Sequence, residues 1–212
     1  MKFPLRFCLA LGAALLFASA ALSQKVSAQS CSAPPPGLVA WYAGEGNALD
    51  IQGGNNGTLQ GGATFVLGRV EQGFNLDGTT AFVRVPGKDT LYPGSGSFSV
   101  EAWIKTSRTT GSEIVFAKYE GGGLQYGNSY YALFLRNGVL SGEIRDTDAG
   151  GPDHDGVHVV DGTKMLADNT FHHVVMLRDM TASVVRLYVD GTAEASEPLN
   201  AGSNGVLKDD DG

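Results

Sequence analysis

The chain has 212 residues, 15 Lys and Arg against 22 Asp and Glu, and a formal net charge of −7. An acidic balance argues against nucleic acid as a partner, because phosphate binding needs clustered Lys and Arg. With 30 glycines and no helical period of useful length, the composition excludes a helical bundle and calls for short strands between turns.

Residues 1–28 open with Lys2 and Arg6, run apolar from 7 to 22 and end in Val26, Ser27 and Ala28 before Gln29. This is the pattern of a secretory signal cleaved near Ala28. The apolar run is shorter than the roughly 20 residues that a membrane-spanning helix needs, and no later stretch is long enough, so the expectation is an exported protein with no membrane span. Cleavage would take Lys2, Arg6 and Lys25 from the basic residues and none from the acidic ones. Cys8 leaves with the signal and Cys31 stands alone, although an oxidising destination favours paired thiols. Either its partner lies outside this sequence or the thiol is free. Residues 29–36 form a stiff lead-in, since Pro34, Pro35 and Pro36 donate no backbone hydrogen bond and disfavour helix before them. One domain is expected over 37–212, long enough to bury one substantial core.

Within it, short apolar runs between turn residues predict strands at 38–42, 58–60, 64–66, 73–77, 82–85, 98–105, 113–119, 130–136, 139–145, 171–178 and 184–189. In 98–105 (FSVEAWIK), Phe98, Val100, Ala102 and Ile104 share one face and Ser99, Glu101, Trp103 and Lys105 the other, so one face is buried. The stretch 171–191 (FHHVVMLRDMTASVVRLYVDG) reads as two apolar strands closed by Asp190-Gly191, which supplies the positive φ of a two-residue hairpin before Thr192 starts back; Asn137-Gly138 is a second such turn. The end is unusual, because 206–212 (VLKDDDG) stops on polar residues after what reads as the start of another strand.

Together, FSVEAWIK at 98–105, the His-His-Val of 172–174 and LYVDG at 187–191 resemble the laminin-G-like jelly-roll family within the concanavalin A-like lectin and glucanase fold. GLVAWYAGEGNALD at 37–50, GGNNGTLQGGATF at 53–65 and LDG at 76–78 read like that family's opening strands. The resemblance implies an all-β, two-sheet antiparallel jelly-roll sandwich. Family members continue with a further strand pair, so the expectation is a sandwich lacking its last strands, a piece of a longer secreted protein with further domains in the same polypeptide. Residues 38–42 would then lose their expected neighbour and leave an unpaired edge.

The fold class also hosts glucanases, which need two carboxylates close across a cleft. Glu143 and Asp146 come nearest, but their odd spacing points them to opposite faces of a strand, while Glu113 and Glu120 read as solvated strand ends. No enzyme is expected. His154 and His158, with Asp153 and Asp155, have metal-ligand spacing only on a helix, and the glycines and proline around them predict a polar loop. His172 and His173 read as packed or hydrogen-bonded strand histidines. The resemblance implies a structural calcium site near Asp50, Asn55, Asn56 and Asp77. Thr80 and Ala81 stand where relatives often carry an acidic pair, which leaves Asp77-Gly78 the alternative of a plain turn. Trp103, on the polar face of its strand, could stack on a sugar ring; packing under neighbouring strands or loops is the favoured alternative. Trp41 and Tyr42 raise the same question, and Tyr126, Tyr130 and Tyr131 lie near the glycine-rich loop at 121–123. The candidate ligand-binding residues are Trp103, Tyr126 and Tyr130. The expected function is a secreted, non-catalytic module that binds an extracellular glycan or protein, with a targeting domain of a larger secreted enzyme or an adhesion spacer as the alternatives.

Overall fold

The computed structural model describes residues 34–119, 130–145, 157–199 and 207. The chain divides into two units, Met1–Pro35 and Pro36–Gly212, and the strands of the described residues lie in the second. These are β1 (Thr58–Gln60), β2 (Thr64–Leu67), β3 (Gln72–Asn75), β4 (Phe82–Arg84), β5 (Phe98–Ile104), β6 (Ser112–Tyr119), β7 (Tyr130–Arg136), β8 (Val139–Arg145), β9 (Val157–Met165), β10 (His172–Asp179), β11 (Val184–Val189) and β12 (Thr192–Pro198), with one 3-10 turn at Asp89–Leu91. Two four-stranded antiparallel sheets, in the orders β12-β11-β10-β5 and β6-β7-β8-β9, form a sandwich, and two ribbons, β1-β4 and β2-β3, accompany it.

Period-two patterning places the side chains. Along β10, the inward set His172, Val174, Met176 and Arg178 is buried and the intervening set is half-buried. β5 alternates as its sequence predicts, with Phe98, Val100, Ala102 and Ile104 turned to the core. Both hairpin turns are as expected. Asn137 and Gly138 have φ of 52° and 80°, Asp190 and Gly191 of 52° and 78°, the two positive values that match the twist of the flanking strands.

The two sheets meet through Leu133, Leu135, Leu140, Ile144 and Val160 on one side and Val174, Met176, Val185, Leu187 and Val189 on the other. Gly142 of β8 lies where the sheets pack tightly: a Cβ there would sit 2.8 Å from Met176 Sδ and 3.1 Å from Leu187 Cδ2, so any larger residue would have to displace those side chains. Arg178 is fully buried in this core. Its guanidinium donates to the carbonyls of Gly94 and Gly96 (Nη2 2.6 Å to each) and lies over the Phe98 ring at 5.0 Å. The segment leading into β5 is thereby fastened to β10.

Two stretches differ from expectation, and a third, the return strand from Thr192, is announced by its turn alone. Residues 38–42 form no strand and contribute only the bridge between Tyr42 and Asp50, because Trp41 N donates to the Asp50 side chain instead of to a ladder. The segment around His158 is strand β9, not loop: its Val157–Met165 backbone completes the free edge of β8, and His158 is buried. β12 (TAEASEP) has weak strand propensity, yet the Asp190-Gly191 turn presents it to β11, where a bulge at Leu187/Tyr188 absorbs the misfit.

Leu187→Ala should lower the unfolding free energy by about 3 kcal/mol in a urea titration, the usual cost of emptying a packed leucine site. An unchanged midpoint would place Leu187 outside the core.

Candidate functional site

Trp103 lies on the outer face of β5, the edge strand of its sheet, and is 51% exposed. Its register partner on β10 is His173, whose ring centroid is 5.2 Å from the indole at an angle of 43°. His173 Nε2 is 3.4 Å from Glu101 Oε2, on the same face. Arg69, in the turn between β2 and β3, places its guanidinium 5.1 Å from the indole centroid. Lys105 follows on the same side, with Nζ 5.5 Å from the Phe171 ring. The indole thus has Arg69 over its ring and His173 beside it, and it remains half-exposed.

Adjacent His172 turns inward. Its Nδ1 is 2.9 Å from Asp190 Oδ2, and its Nε2 is 3.2 Å from the Asp168 carboxylate and from Thr170 Oγ1. Asp190 also accepts from His173 N at 3.0 Å and pairs with Lys164 at 3.1 Å. The bond to His172 is the main reason its carboxyl is held at about 2. His172 is therefore a buried strand histidine with a structural task, closing the β11–β12 turn onto β10.

Tyr130 does not join Trp103. It sits on β7 of the other sheet, is 5% exposed and donates its hydroxyl to the Glu143 carboxylate. Burial, reinforced by that carboxylate, pushes the phenol well above its ordinary value. The outward position on β7 is closed off, so the sequence signal of an aromatic near a glycine-rich loop misplaced it. Tyr126, Glu120, His154 and Asp146 lie outside the described residues, as does Cys31. Sequence reasoning missed Arg69, which only the β2–β3 turn brings to the indole.

The loop around Asp50 is built on that carboxylate. Oδ1 accepts from Trp41 N (2.8 Å) and Gln52 N (3.0 Å), Oδ2 from Asn55 N (2.9 Å) and Asn55 Nδ2 (2.8 Å). Asn56 Oδ1 accepts from Asp50 N, and Asn55 Oδ1 from Thr90 Oγ1. Burial works to raise the Asp50 carboxyl, but the backbone donors of Trp41, Asn55, Gln52 and Gly53 together hold it far below the usual range. Tyr42, whose hydroxyl donates to Asn55 O, is pushed up to about 12 by burial and by Asp50.

Asp77 lies at the other end of β1. Gly57, just before β1, donates to Ala48 O next to Asp50, whereas Thr80 of the Asp77 turn donates to Gly61 O just after β1. Asp77 Oδ1 accepts from the N–H groups of Thr79, Thr80 and Ala81, and Oδ2 from Thr80 Oγ1. A carboxylate has about four lone-pair positions, so protein donors occupy all of those of Asp50 and most of those of Asp77. Asp50, Asn55 and Asn56 come together; Asp77 does not join them. Among the described residues no group of three or more His, Cys, Asp or Glu is arranged to hold a metal. The donor set does not fit calcium as arranged.

Two outcomes check this. Thermal melts with calcium and with a chelator should coincide, since a cation bound only by the native state would raise the transition; a calcium-dependent rise would show that the loops rearrange into a site. Asp50→Asn should cost about 2 kcal/mol at neutral pH, because the charge-assisted bonds are lost. A depressed carboxyl contributes stability that is present above its unfolded pKa of about 4 and disappears as pH falls through the folded value. The gap between the native protein and the variant in urea titrations should therefore narrow below about pH 4, and a gap independent of pH would refute the role given to the charge.

A sequence profile described as the concanavalin A-like lectin/glucanases superfamily matches residues 77–210. No curated protein matches the chain in sequence. Among solved structures, domain 4 of AbnA, a GH43 extracellular arabinanase from Geobacillus stearothermophilus, in complex with arabinotriose, is similar at 18% identity and TM-score 0.55, covering 80% of this chain and 81% of that one. The botulinum neurotoxin serotype G binding domain is similar at 12% identity and TM-score 0.51, covering 74% of this chain and 38% of that one. Domains LG4-5 of the mouse laminin alpha1 chain align at 18% identity and TM-score 0.41 over 53% of this chain and 26% of theirs, so the chain spans about a quarter of that structure. With the profile covering more than half of the sequence and the two-sheet sandwich in place, the chain belongs to the concanavalin A-like lectin/glucanase superfamily.

Proposed function

We propose that this chain is a secreted, non-catalytic binding module whose ligand is an extracellular glycan, received on the outer face of β5 around Trp103. The observation that carries the reading is the half-exposed indole itself. An indole at the surface leaves hydrophobic area in water unless something covers it, and its flat face suits the C–H face of a sugar ring. His173 and Arg69 fix its orientation beforehand, so little conformational freedom is lost on binding. The arabinotriose complex of the similar arabinanase domain supports a saccharide over a protein ligand.

The non-catalytic part rests on the state of the carboxylates. Glu143 is taken by Tyr130, Asp161 accepts from Ser141 Oγ at 2.6 Å, and Glu113 accepts from Thr106 Oγ1. Secretion rests on the signal pattern of residues 1–28; among the described residues no helix is long and apolar enough to cross a membrane. A second reading, a targeting module working for an attached enzyme, is favoured by one observation: the similar arabinanase domain is itself one domain of an extracellular enzyme.

A glycan array followed by calorimetry on its hits tests the proposal. Trp103→Ala should weaken binding by about 2 kcal/mol, on the order of 30-fold, as for a central aromatic anchor. Trp41→Ala should leave it unchanged. Equal affinity of the native protein and the Trp103 variant, or an array without hits alongside capture of an extracellular protein, would overturn it.

A further inference from the structure

The face around Trp103 carries two cations that the fold leaves unspent. On the two four-stranded sheets three cationic side chains are paired with carboxylates: Arg136 with Asp161 at 3.5 Å, Lys164 with Asp190 at 3.1 Å, Arg186 with Asp179 at 2.8 Å. Arg69 and Lys105 differ. Among the described residues their contacts are with aromatic rings, Arg69 with Trp103 and Lys105 with Phe171, and neither makes a hydrogen bond or ion pair. Both are exposed. Glu101, the carboxylate on the same face of β5, is drawn to His173.

A guanidinium resting on an indole keeps its N–H donors available at the edge of the ring. It offers a planar, two-pronged donor to a carboxylate or a sulfate. In a chain of net charge −7, two unpaired cations beside an exposed ring form a local region of opposite sign. A neutral saccharide would gain from the indole and leave both cations unused.

We propose that the site takes an acidic saccharide, with the sugar ring against Trp103 and its anionic group received by Arg69 and Lys105. The proposal rests on the glycan reading above and adds the ligand's charge to it. The shared chemistry is a pyranose bearing a singly or multiply charged anionic group; a uronic acid carries it as carboxylate and a sulfated sugar as sulfate.

Calorimetry on the full chain with three oligosaccharides of matched length decides the matter: an oligogalacturonate, a sulfated galactan fragment and a neutral galactan fragment. Each is titrated at about 0.1 M and about 1 M salt, between which the screening length falls from about 10 Å to about 3 Å. At the lower salt, an acidic ligand should bind on the order of tenfold tighter than the neutral one, through its charge-assisted bonds. Arg69→Gln and Lys105→Gln should each reduce that advantage and high salt should compress it, while Lys105→Gln, which leaves the neighbours of the indole in place, should keep the residual neutral affinity. Whichever acidic ligand binds tighter identifies carboxylate or sulfate as the group. Equal or tighter binding of the neutral fragment, insensitive to both substitutions, would overturn the inference and leave the glycan reading standing. Absence of binding to all three would remove both. Unchanged melting temperatures of the two glutamine variants exclude a folding defect, since both side chains lie at the surface.

Discussion

The close approach of the two sheets at Gly142 is the constraint on which the rest of the structure depends. With Met176 and Leu187 packed where a side chain of β8 would otherwise stand, every strand in the sandwich has a fixed inside. Since side chains alternate, fixing the inside also fixes the outside. A slip of one residue in β5 would bury Trp103 and Glu101 and expose Phe98 and Val100. The hydrophobic cost of that exchange specifies the position of the indole as firmly as any direct contact to it.

The acidic residues have a role that their number alone does not convey. Asp50, Asp77, Asp179 and Glu194 each accept from two or more backbone N–H groups in turns or between strands, and Asp168 and Asp190 close the surroundings of His172. Buried or turn N–H groups need acceptors where no ladder supplies them, and short carboxylate side chains reach them well. Much of the negative charge is thus spent on holding loops. An acidic composition in a sandwich of this kind therefore does not itself indicate a cation site.

Legibility in the sequence followed the same physical division. The inner strands could be read because β-branched and aromatic residues alternate in them, and both hairpin turns because Asn-Gly and Asp-Gly admit positive φ. β12 was announced only by its turn, since its small and polar residues pair because that turn delivers them to β11. The polar, glycine-bearing sequence just before β9 likewise hid a strand that the open edge of β8 selects. At the site, the outward position of Trp103 was legible from alternation, whereas the burial of Tyr130 was not, because the Glu143 partner and the covering of β7 are tertiary. Arg69 carries no local signal at all; thirty-four positions separate it from Trp103, and only the β2–β3 ribbon spans them.

That separation bears on how such a face changes. The core-facing positions of β5 and β10 are fixed by packing, and a substitution there is felt across both sheets. Trp103, Arg69 and Lys105 project from the opposite side, and two of the three lie beyond strand ends, in segments that tolerate replacement. The ligand-facing chemistry can therefore be altered without disturbing the sandwich, and one scaffold can carry different surfaces. For the same reason, membership in the superfamily fixes the architecture but not the ligand; what this chain binds has to be argued from the side chains on its own outer face, where an oriented indole and two unpaired cations stand together.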